Sequence, residues 1–226
     1  MRKILLFLIL PALTALTEQV IAEYKKTAPY VGNTLKGTPC TGVAHGYGPF
    51  DYSKRRTINP RHLKAVEGAH FKPDVEFLEE GKHRSSNSPW PDLDYTLRAW
   101  PNHPRALLTM IRFQQQVNLK LTEHKAPVPV ECYLQRAINF NPKYSIPYAL
   151  YGYYLHQVGN LDDADKQYKK AMVLEPDNAR HAYSYSELLI DMKEYDKALE
   201  YAKVAYQNGN PPQALKNKLI KLGIWK

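Results

Sequence analysis

Small and large apolar residues recur with the same spacing in two successive 34-residue windows, 145–178 and 179–212. In the first window, offsets of three and four residues place one apolar set on a single helical face, and a second set follows a break at Gly159 and Asn160. The two sets are Tyr148, Tyr151, Gly152 and Leu155, then Leu161, Ala164, Tyr168 and Ala171. Pro176 ends the second set. The window therefore predicts two helices joined by a tight turn.

The second window repeats the pattern with Ala182, Tyr185, Ser186 and Leu189, then Ala198, Ala202 and Ala205. Short side chains at repeated positions allow helix axes to approach to about 8–10 Å. Upstream, residues 105–142 carry a degenerate version in which the insertion KLTEHKAPVPV stands where a short turn is expected. Residues 213–226 predict a final capping helix over 213–222, with leucines on one side and lysines largely on the other.

This period and residue pattern resemble the tetratricopeptide repeat over roughly residues 131–212. The resemblance implies an all-α fold, a right-handed helical solenoid of about three repeats (105–142, 145–178 and 179–212), preceded by a loop-rich region with short helices. It also implies a concave groove for a peptide or partner domain, lined by the first helix of each repeat.

The positions that line this groove in the family are here Ile146, Ala149, Tyr153, His156 and Gln157 from one repeat, and Arg180, Tyr183, Glu187, Ile190 and Asp191 from the next. Tyr153 and Tyr183 are the expected anchors, because aromatic rings supply contact area at low entropic cost. The family's carboxylate clamp for chaperone C termini is not reproduced, since Ala149, Tyr153 and Ser184 occupy its positions.

Residues 1–22 have the character of a secretory signal peptide. Arg2 and Lys3 precede an apolar run over 4–16, and small residues lead to a cleavage site after Ala22. The run is too short to span a bilayer core of about 30 Å, although an uncleaved anchor is the alternative. We expect a periplasmic or secreted protein with no integral membrane span after cleavage.

Cys40 and Cys132 form an even pair in a chain expected to reach an oxidising compartment. A disulfide between them would tie the N-terminal region to the degenerate repeat. Two free thiols or a reactive nucleophile are the alternatives, but neither has a supporting motif.

Residues 23–104 predict an N-terminal cap of loops and short helices, the helices over 61–69, 73–80 and 91–100. The aromatic segment 46–52 (GYGPFDY) is expected to pack against the repeats. Together with 70–81 and 92–107, it resembles uncharacterised exported bacterial proteins that also carry these repeats, a resemblance that implies a distinct cap and no known activity.

The formal net charge is +9, and it falls to +8 when Arg2, Lys3 and Glu18 are removed with the signal peptide. The sequence contains no basic block with interleaved aromatic residues, which is the pattern that would predict a nucleic-acid-binding surface. Among the histidines and acidic residues, the set that comes nearest to a metal-binding pattern is His62, Glu67 and His70. Their spacing favours three unrelated surface residues over a metal site. No nucleophile or phosphate-binding motif is present, so the sequence predicts neither enzyme activity nor a cofactor.

Two functional hypotheses follow. The first is an exported adaptor or scaffold that binds a peptide or partner domain in the groove, with self-association as a further possibility. The second is an accessory protein of cell-envelope glycan or enzyme assembly, in which the segment from 46 to His70 carries ligand binding or catalysis and the repeats only dock it.

Overall fold

The computed structural model describes residues 27–44, 46–79, 88–122 and 124–226. The expected signal peptide lies outside these residues. Within the described ranges the secondary structure is helical, with one isolated antiparallel bridge between Asn33 and Pro39. No helix in these ranges combines the length and apolar character that crossing a membrane requires.

A short 3-10 helix, Tyr52–Lys54, precedes ten α-helices in the described residues. They are α1 (Pro60–His70), α2 (Pro73–Glu76), α3 (Trp90–Ala99), α4 (Pro104–Asn118), α5 (Val130–Phe140), α6 (Ser145–Gln157), α7 (Leu161–Leu174), α8 (Ala179–Asp191), α9 (Tyr195–Asn208) and α10 (Ala214–Lys221). Prolines begin α1, α2 and α4, where the fixed φ of proline favours the first helical turn.

The pairs α6/α7 and α8/α9 are antiparallel helical hairpins that stack on one another, as the two 34-residue windows predicted. Ala164, Ala171, Ala198, Ala202 and Ala205 are fully buried at their interfaces. The degenerate pair α4/α5 extends the stack at one end and α10 closes it at the other. The chain is therefore a tetratricopeptide-like helical solenoid.

Gly152 shows why small residues are required at the repeated positions. A β-carbon at Gly152 would lie 2.9 Å from the ring of Tyr168, which is fully buried in α7. The Tyr168 ring in turn stacks on Tyr185 of α8, with 5.6 Å between the ring centroids. Because Gly152 of α6 has no side chain, the Tyr168 ring fits against α6 and links the two repeats.

The N-terminal cap shares one hydrophobic core with the first repeat. Phe71 and Val75 from the cap pack in the same buried cluster as Met110 of α4, Leu134 of α5 and Tyr154 of α6. The cap is consequently not a separate globular unit, and a chain lacking residues 112–226 would lose much of the core on which the cap is built.

Residues 27–44, which we call the strap, lie against α5. The disulfide between Cys40 and Cys132 joins them across 92 residues of sequence. Glu131, buried in α5, accepts a hydrogen bond from the Leu35 backbone amide at 3.0 Å, and the Gln135 side chain donates to the Asn33 carbonyl at 2.8 Å. The strap therefore covers one side of the degenerate repeat.

The aromatic segment 46–52 packs mainly on the cap. The Phe50 amide donates to the Ala99 carbonyl at 2.8 Å, and the Phe50 ring lies 5.0 Å from that of Trp100 and stacks on His62 of α1. Its link to the repeats is polar, because the Asn141 side chain at the end of α5 donates to Asp51 at 2.9 Å.

One predicted helix is shorter than expected. The sequence predicted a helix over 73–80, whereas α2 ends at Glu76 and Leu78 has a left-handed φ of 56°. Leu78 packs against the core shared by the cap and the first repeat, and that burial takes the chain out of the helix. Residue 80, the last of the predicted helix, lies outside the described residues.

We expect Gly152→Ala and Gly68→Ala to change stability in opposite directions. The Gly152→Ala methyl group collides with Tyr168, and overpacking of about 1–3 kcal/mol outweighs a gain in helix propensity of about 0.5–1 kcal/mol. A β-carbon added at Gly68, in α1, would meet no atom within 4 Å, so only the propensity gain applies there. Urea unfolding of both variants measures the difference, and a stabilised Gly152→Ala would contradict this account of the packing.

Replacement of both cysteines by alanine should lower the free energy of unfolding by about 2–5 kcal/mol, because the cross-link restricts a long loop of the unfolded chain. Guanidinium unfolding under non-reducing conditions measures the change. Wild-type protein in excess reductant is the matched control and should approach the stability of the variant. Equal stability of the oxidised protein and the variant would show that the strap is held without the cross-link.

Candidate binding groove

The first helices of the successive pairs form one continuous surface. Helix α4 contacts α6, α6 contacts α8, and α8 contacts α10, while α7 and α9 pack behind them. The surface shared by α6, α8 and α10, which we call the groove, carries most of the residues that the repeat resemblance placed at a binding site.

Asp191 connects the three helices of the groove. Its carboxylate lies 2.9 Å from Nε2 of His156 on α6 and accepts from Nζ of Lys218 on α10 at 3.1 Å. The ion pair with Lys218 is about half exposed on both sides, and such pairs contribute at most about 1 kcal/mol. Its larger effect is to fix the relative positions of three charged or polar side chains in the groove.

Glu187 lies one helical turn before Asp191 on the same face of α8. Partial burial raises the pKa of its carboxyl group, and the positive charges of Lys218 and His156 oppose that rise. Within the described residues, no group donates a hydrogen bond to this carboxylate. The groove therefore contains a half-buried acceptor whose hydrogen-bonding capacity is available to a ligand.

The two expected anchors occupy different settings. Tyr153 is partly exposed and packs against both hydrophobic cores, at the junction of the degenerate repeat and the next one. Tyr183 is partly exposed on α8 and approaches the backbone of Leu215 in α10. Each ring presents one surface to solvent while the rest is held by packing, which is the arrangement that favours a rigid binding contact.

The remaining predicted residues divide into three groups. Ala149 and Ile146 are partly buried, whereas Gln157 and Arg180 are exposed, at the end of α6 and the start of α8. Ile190 does not line the groove: it is 5% exposed and belongs to the core of the last two repeats. An aliphatic side chain at that point is more stable among apolar neighbours than in an aqueous groove.

Lys218 is the groove residue that the sequence analysis missed. It belongs to the lysine-rich side of α10, which the pattern predicted only as a solvated face of the capping helix. No spacing along the chain connects Lys218 with Asp191, because the contact depends on how α10 packs across α8.

His181 and Ser145 set the spacing between α6 and α8 at their N-terminal ends. His181 is 3% exposed, and its Nε2 lies 3.0 Å from Oγ of the fully buried Ser145. The other ring nitrogen, Nδ1, is buried without a hydrogen-bond partner in the described structure. A proton there would have no acceptor, and burial lowers the pKa of His181 from 6.5 to about 4.

His62, Glu67 and His70 each have a different partner in the structure. His62 hydrogen-bonds to Tyr47, His70 lies 2.8 Å from Asp92, and Glu67 pairs with the buried His103 at 3.1 Å. Elsewhere among the described residues, no cluster of three or more His, Cys, Asp or Glu side chains is arranged to hold a metal ion.

Stacked helical hairpins with a groove along their first helices define the class of tetratricopeptide-like helical-repeat proteins. Two solved structures similar to this chain are MamA, with 18% identity over 75% of this chain and 87% of that one at a TM-score of 0.45, and a thermophilic TPR protein, TTC0263, from Thermus thermophilus. The latter has 18% identity, covers 59% of this chain and 88% of that one, and has a TM-score of 0.36. No protein-family model and no curated protein matches the sequence.

Protonation of His181 should make the fold less stable in acid. The unfolded chain binds a proton near pH 6.5, whereas the folded chain does so only near pH 4, so stability is complete above pH 6.5 and falls as the pH decreases to 4. The shift corresponds to a loss on the order of 3 kcal/mol. His181→Gln should show a shallower decrease in urea unfolding between pH 7 and pH 4, and identical slopes would contradict the assignment. The buried His103 remains as a second contributor in both proteins.

Proposed function

We propose that this protein is an exported adaptor that binds an extended peptide or a segment of a partner protein in the groove of α6, α8 and α10. The observation that carries this proposal is that two partly exposed tyrosines lie on the same helices as a polar cluster that links α6, α8 and α10. Tyr153 and Tyr183 supply rigid apolar contact, and His156, Glu187, Asp191 and Lys218 supply donors and acceptors on the same three helices.

The chemistry of the groove suits protein segments better than small molecules. Its surface crosses three successive helices, so a bound chain would meet apolar and polar positions from all three. Specificity would come from the fixed polar residues, whereas affinity would depend on the tyrosines, because aromatic side chains dominate binding energies at interfaces. We further propose that the protein acts by binding and not by catalysis.

Export to the periplasm or the extracellular medium is part of the proposal. It is supported by the signal-peptide pattern of residues 1–22 and by the disulfide between Cys40 and Cys132, since structural disulfides are typical of oxidising compartments. Mass spectrometry of the protein from cell fractions tests the location and the cleavage after Ala22.

Site-specific photo-crosslinking tests the groove directly. A benzophenone amino acid at Gln157, which is exposed at the groove end of α6, should crosslink to a discrete partner in the native envelope or secreted fraction. The same group at Val173, which is 74% exposed on α7, should not. Tyr153→Ala combined with Tyr183→Ala should reduce the Gln157 crosslink at least tenfold, because both anchors are removed.

The matched control is Val173→Ala combined with Tyr195→Ala, which removes apolar area of comparable kind from exposed positions on α7 and α9. Because Tyr153 also packs against the cores, circular dichroism and thermal unfolding must show that the double tyrosine variant is folded at the assay temperature. A crosslink that persists in the folded tyrosine variant, or one that is equally strong from Val173, would refute groove binding.

A further inference from the structure

An open cleft lies on the N-terminal cap, far from the groove in sequence. It has a volume of about 430 Å³ and is formed by one face of α1 together with the chain before it and after it. Leu63, Phe71 and Pro60 contribute apolar surface, and Arg55, Lys64 and Lys72 contribute cationic groups. The volume lies within the range of about 300–1,000 Å³ that is usual for small-molecule sites.

The charge around this cleft is strongly one-sided. Residues 53–72 contain six lysines and arginines but only one acidic residue, Glu67. Acidic residues elsewhere in the cap offset this excess of basic residues, so the total charge of the cap does not show it. The cleft therefore lies in the most cationic 20-residue part of the cap.

The single carboxylate of the cleft is held from behind by two contacts. Glu67 lies 3.1 Å from Nε2 of the buried His103 and 3.4 Å from Nη1 of Arg105. The hydrogen bond from His103 is the main reason why the pKa of Glu67 is lowered. Glu67 is therefore a single ionised carboxylate directed towards His103 and Arg105, and three cationic side chains line the same cleft.

Those cations have no carboxylate partners in the part of the chain that the structure describes. Lys64 and Lys72 make no ion pair there, and the same is true of the flanking Lys54, Arg56 and Arg61. Arg55 is oriented by its contact with the Tyr52 carbonyl at 3.3 Å and lies over the Tyr52 ring. By contrast, Lys166, Lys169, Lys197 and Lys218, in the repeats, each pair with an aspartate or glutamate.

The floor of the cleft is open space. Gly68 lines it, and apart from the backbone of α1 itself no atom lies within 4 Å of the point where a β-carbon would stand. A ligand can therefore approach the backbone of α1 at this point, with Lys64 one turn before it and Lys72 just beyond the end of α1 at His70. The glycine also provides a means of filling the cleft without disturbing the core.

We propose that this cleft binds a phosphate-bearing ligand with an apolar body. Three cationic side chains converge on one concavity, and an arginine and two lysines suit the several acceptor oxygens of a phosphate group. The apolar surface of Leu63 and Pro60 would contact the rest of the molecule. Soluble phosphorylated organic molecules and phospholipid headgroups share this chemistry. The apolar part of the cleft lining favours such a molecule over a purely acidic protein surface.

Isothermal titration with dihexanoyl phosphatidic acid, below its micelle concentration, tests the site on the exported full-length protein. We expect saturable binding that weakens as the salt concentration rises. Inorganic phosphate should bind at least tenfold more weakly, because it lacks an apolar body. Flotation with vesicles of phosphatidylcholine, with and without phosphatidylglycerol, then distinguishes a membrane headgroup from a soluble ligand.

Matched variants localise the binding. Lys64→Gln combined with Lys72→Gln, and separately Gly68→Leu, should each weaken phosphatidic acid binding at least tenfold, the first by removing charge and the second by filling the cleft. Lys170→Gln combined with Lys203→Gln removes the same charge from α7 and α9 and should leave affinity within twofold of wild type. Gly68→Ala should also bind, since a methyl group occupies little of the cleft. All variants carry the same N terminus, so any contribution of residues 1–22 cancels.

Binding lost in both cleft variants and retained in both controls would establish the site, with the vesicle arm identifying the source of the phosphate. Absence of saturable binding at millimolar phosphatidic acid would overturn the proposal. So would equal losses in the two lysine pairs, which would indicate nonspecific attraction, or preferential binding of a hexaglutamate peptide, which would indicate an acidic protein partner. None of these results depends on the groove, because Tyr153 and Tyr183 are unchanged.

Discussion

The buried guanidinium of Arg136 unites the parts of this protein that its sequence keeps far apart. From α5 it donates hydrogen bonds to the carbonyls of Ala28 at 2.5 Å, Leu97 at 2.8 Å and Ala44 at 3.3 Å. Burial of a cation costs several kcal/mol unless hydrogen bonds and nearby charges compensate, and burial lowers the pKa of this arginine. Its three carbonyl partners and the ring of Tyr30 beneath it provide that compensation.

The consequence of this arrangement is that the cap and the solenoid form one structure. Arg136 fixes both ends of the strap, and the disulfide fixes a point between them. The shared apolar core fixes α2 against α4, and α1 packs on α3. The cleft on α1 and the groove on α6, α8 and α10 are therefore held in a constant relation. A ligand at one site and a partner at the other would be presented together, as an adaptor requires.

The two surfaces differ in how their charges are arranged. In the groove, the Asp191 carboxylate is engaged by His156 and Lys218, whereas the Glu187 carboxylate accepts no hydrogen bond within the described residues. Around the cleft, the cations remain unpaired in the described structure and the one acid is engaged behind them. Paired charges can fix the orientation of a bound partner while the surface keeps a low electrostatic potential. Unpaired cations around a cleft instead raise the local concentration of anions.

The sequence determined the helical hairpins of 145–212, the tight turns between their helices and the small residues at the interfaces, because these depend on periodicity and on local sterics within 34 residues. It also placed Tyr153, His156, Tyr183 and Glu187 on first helices, since position within a repeat decides which side of the hairpin a residue occupies.

Tertiary structure decided what periodicity does not encode. The contact of Lys218 with Asp191, the burial of Ile190 and the convergence of Arg55, Lys64 and Lys72 on one cleft all depend on how separate elements pack. Even Arg136, one charged residue among 31 lysines and arginines, is distinguished from the others only by the three carbonyls that the folded chain brings to it.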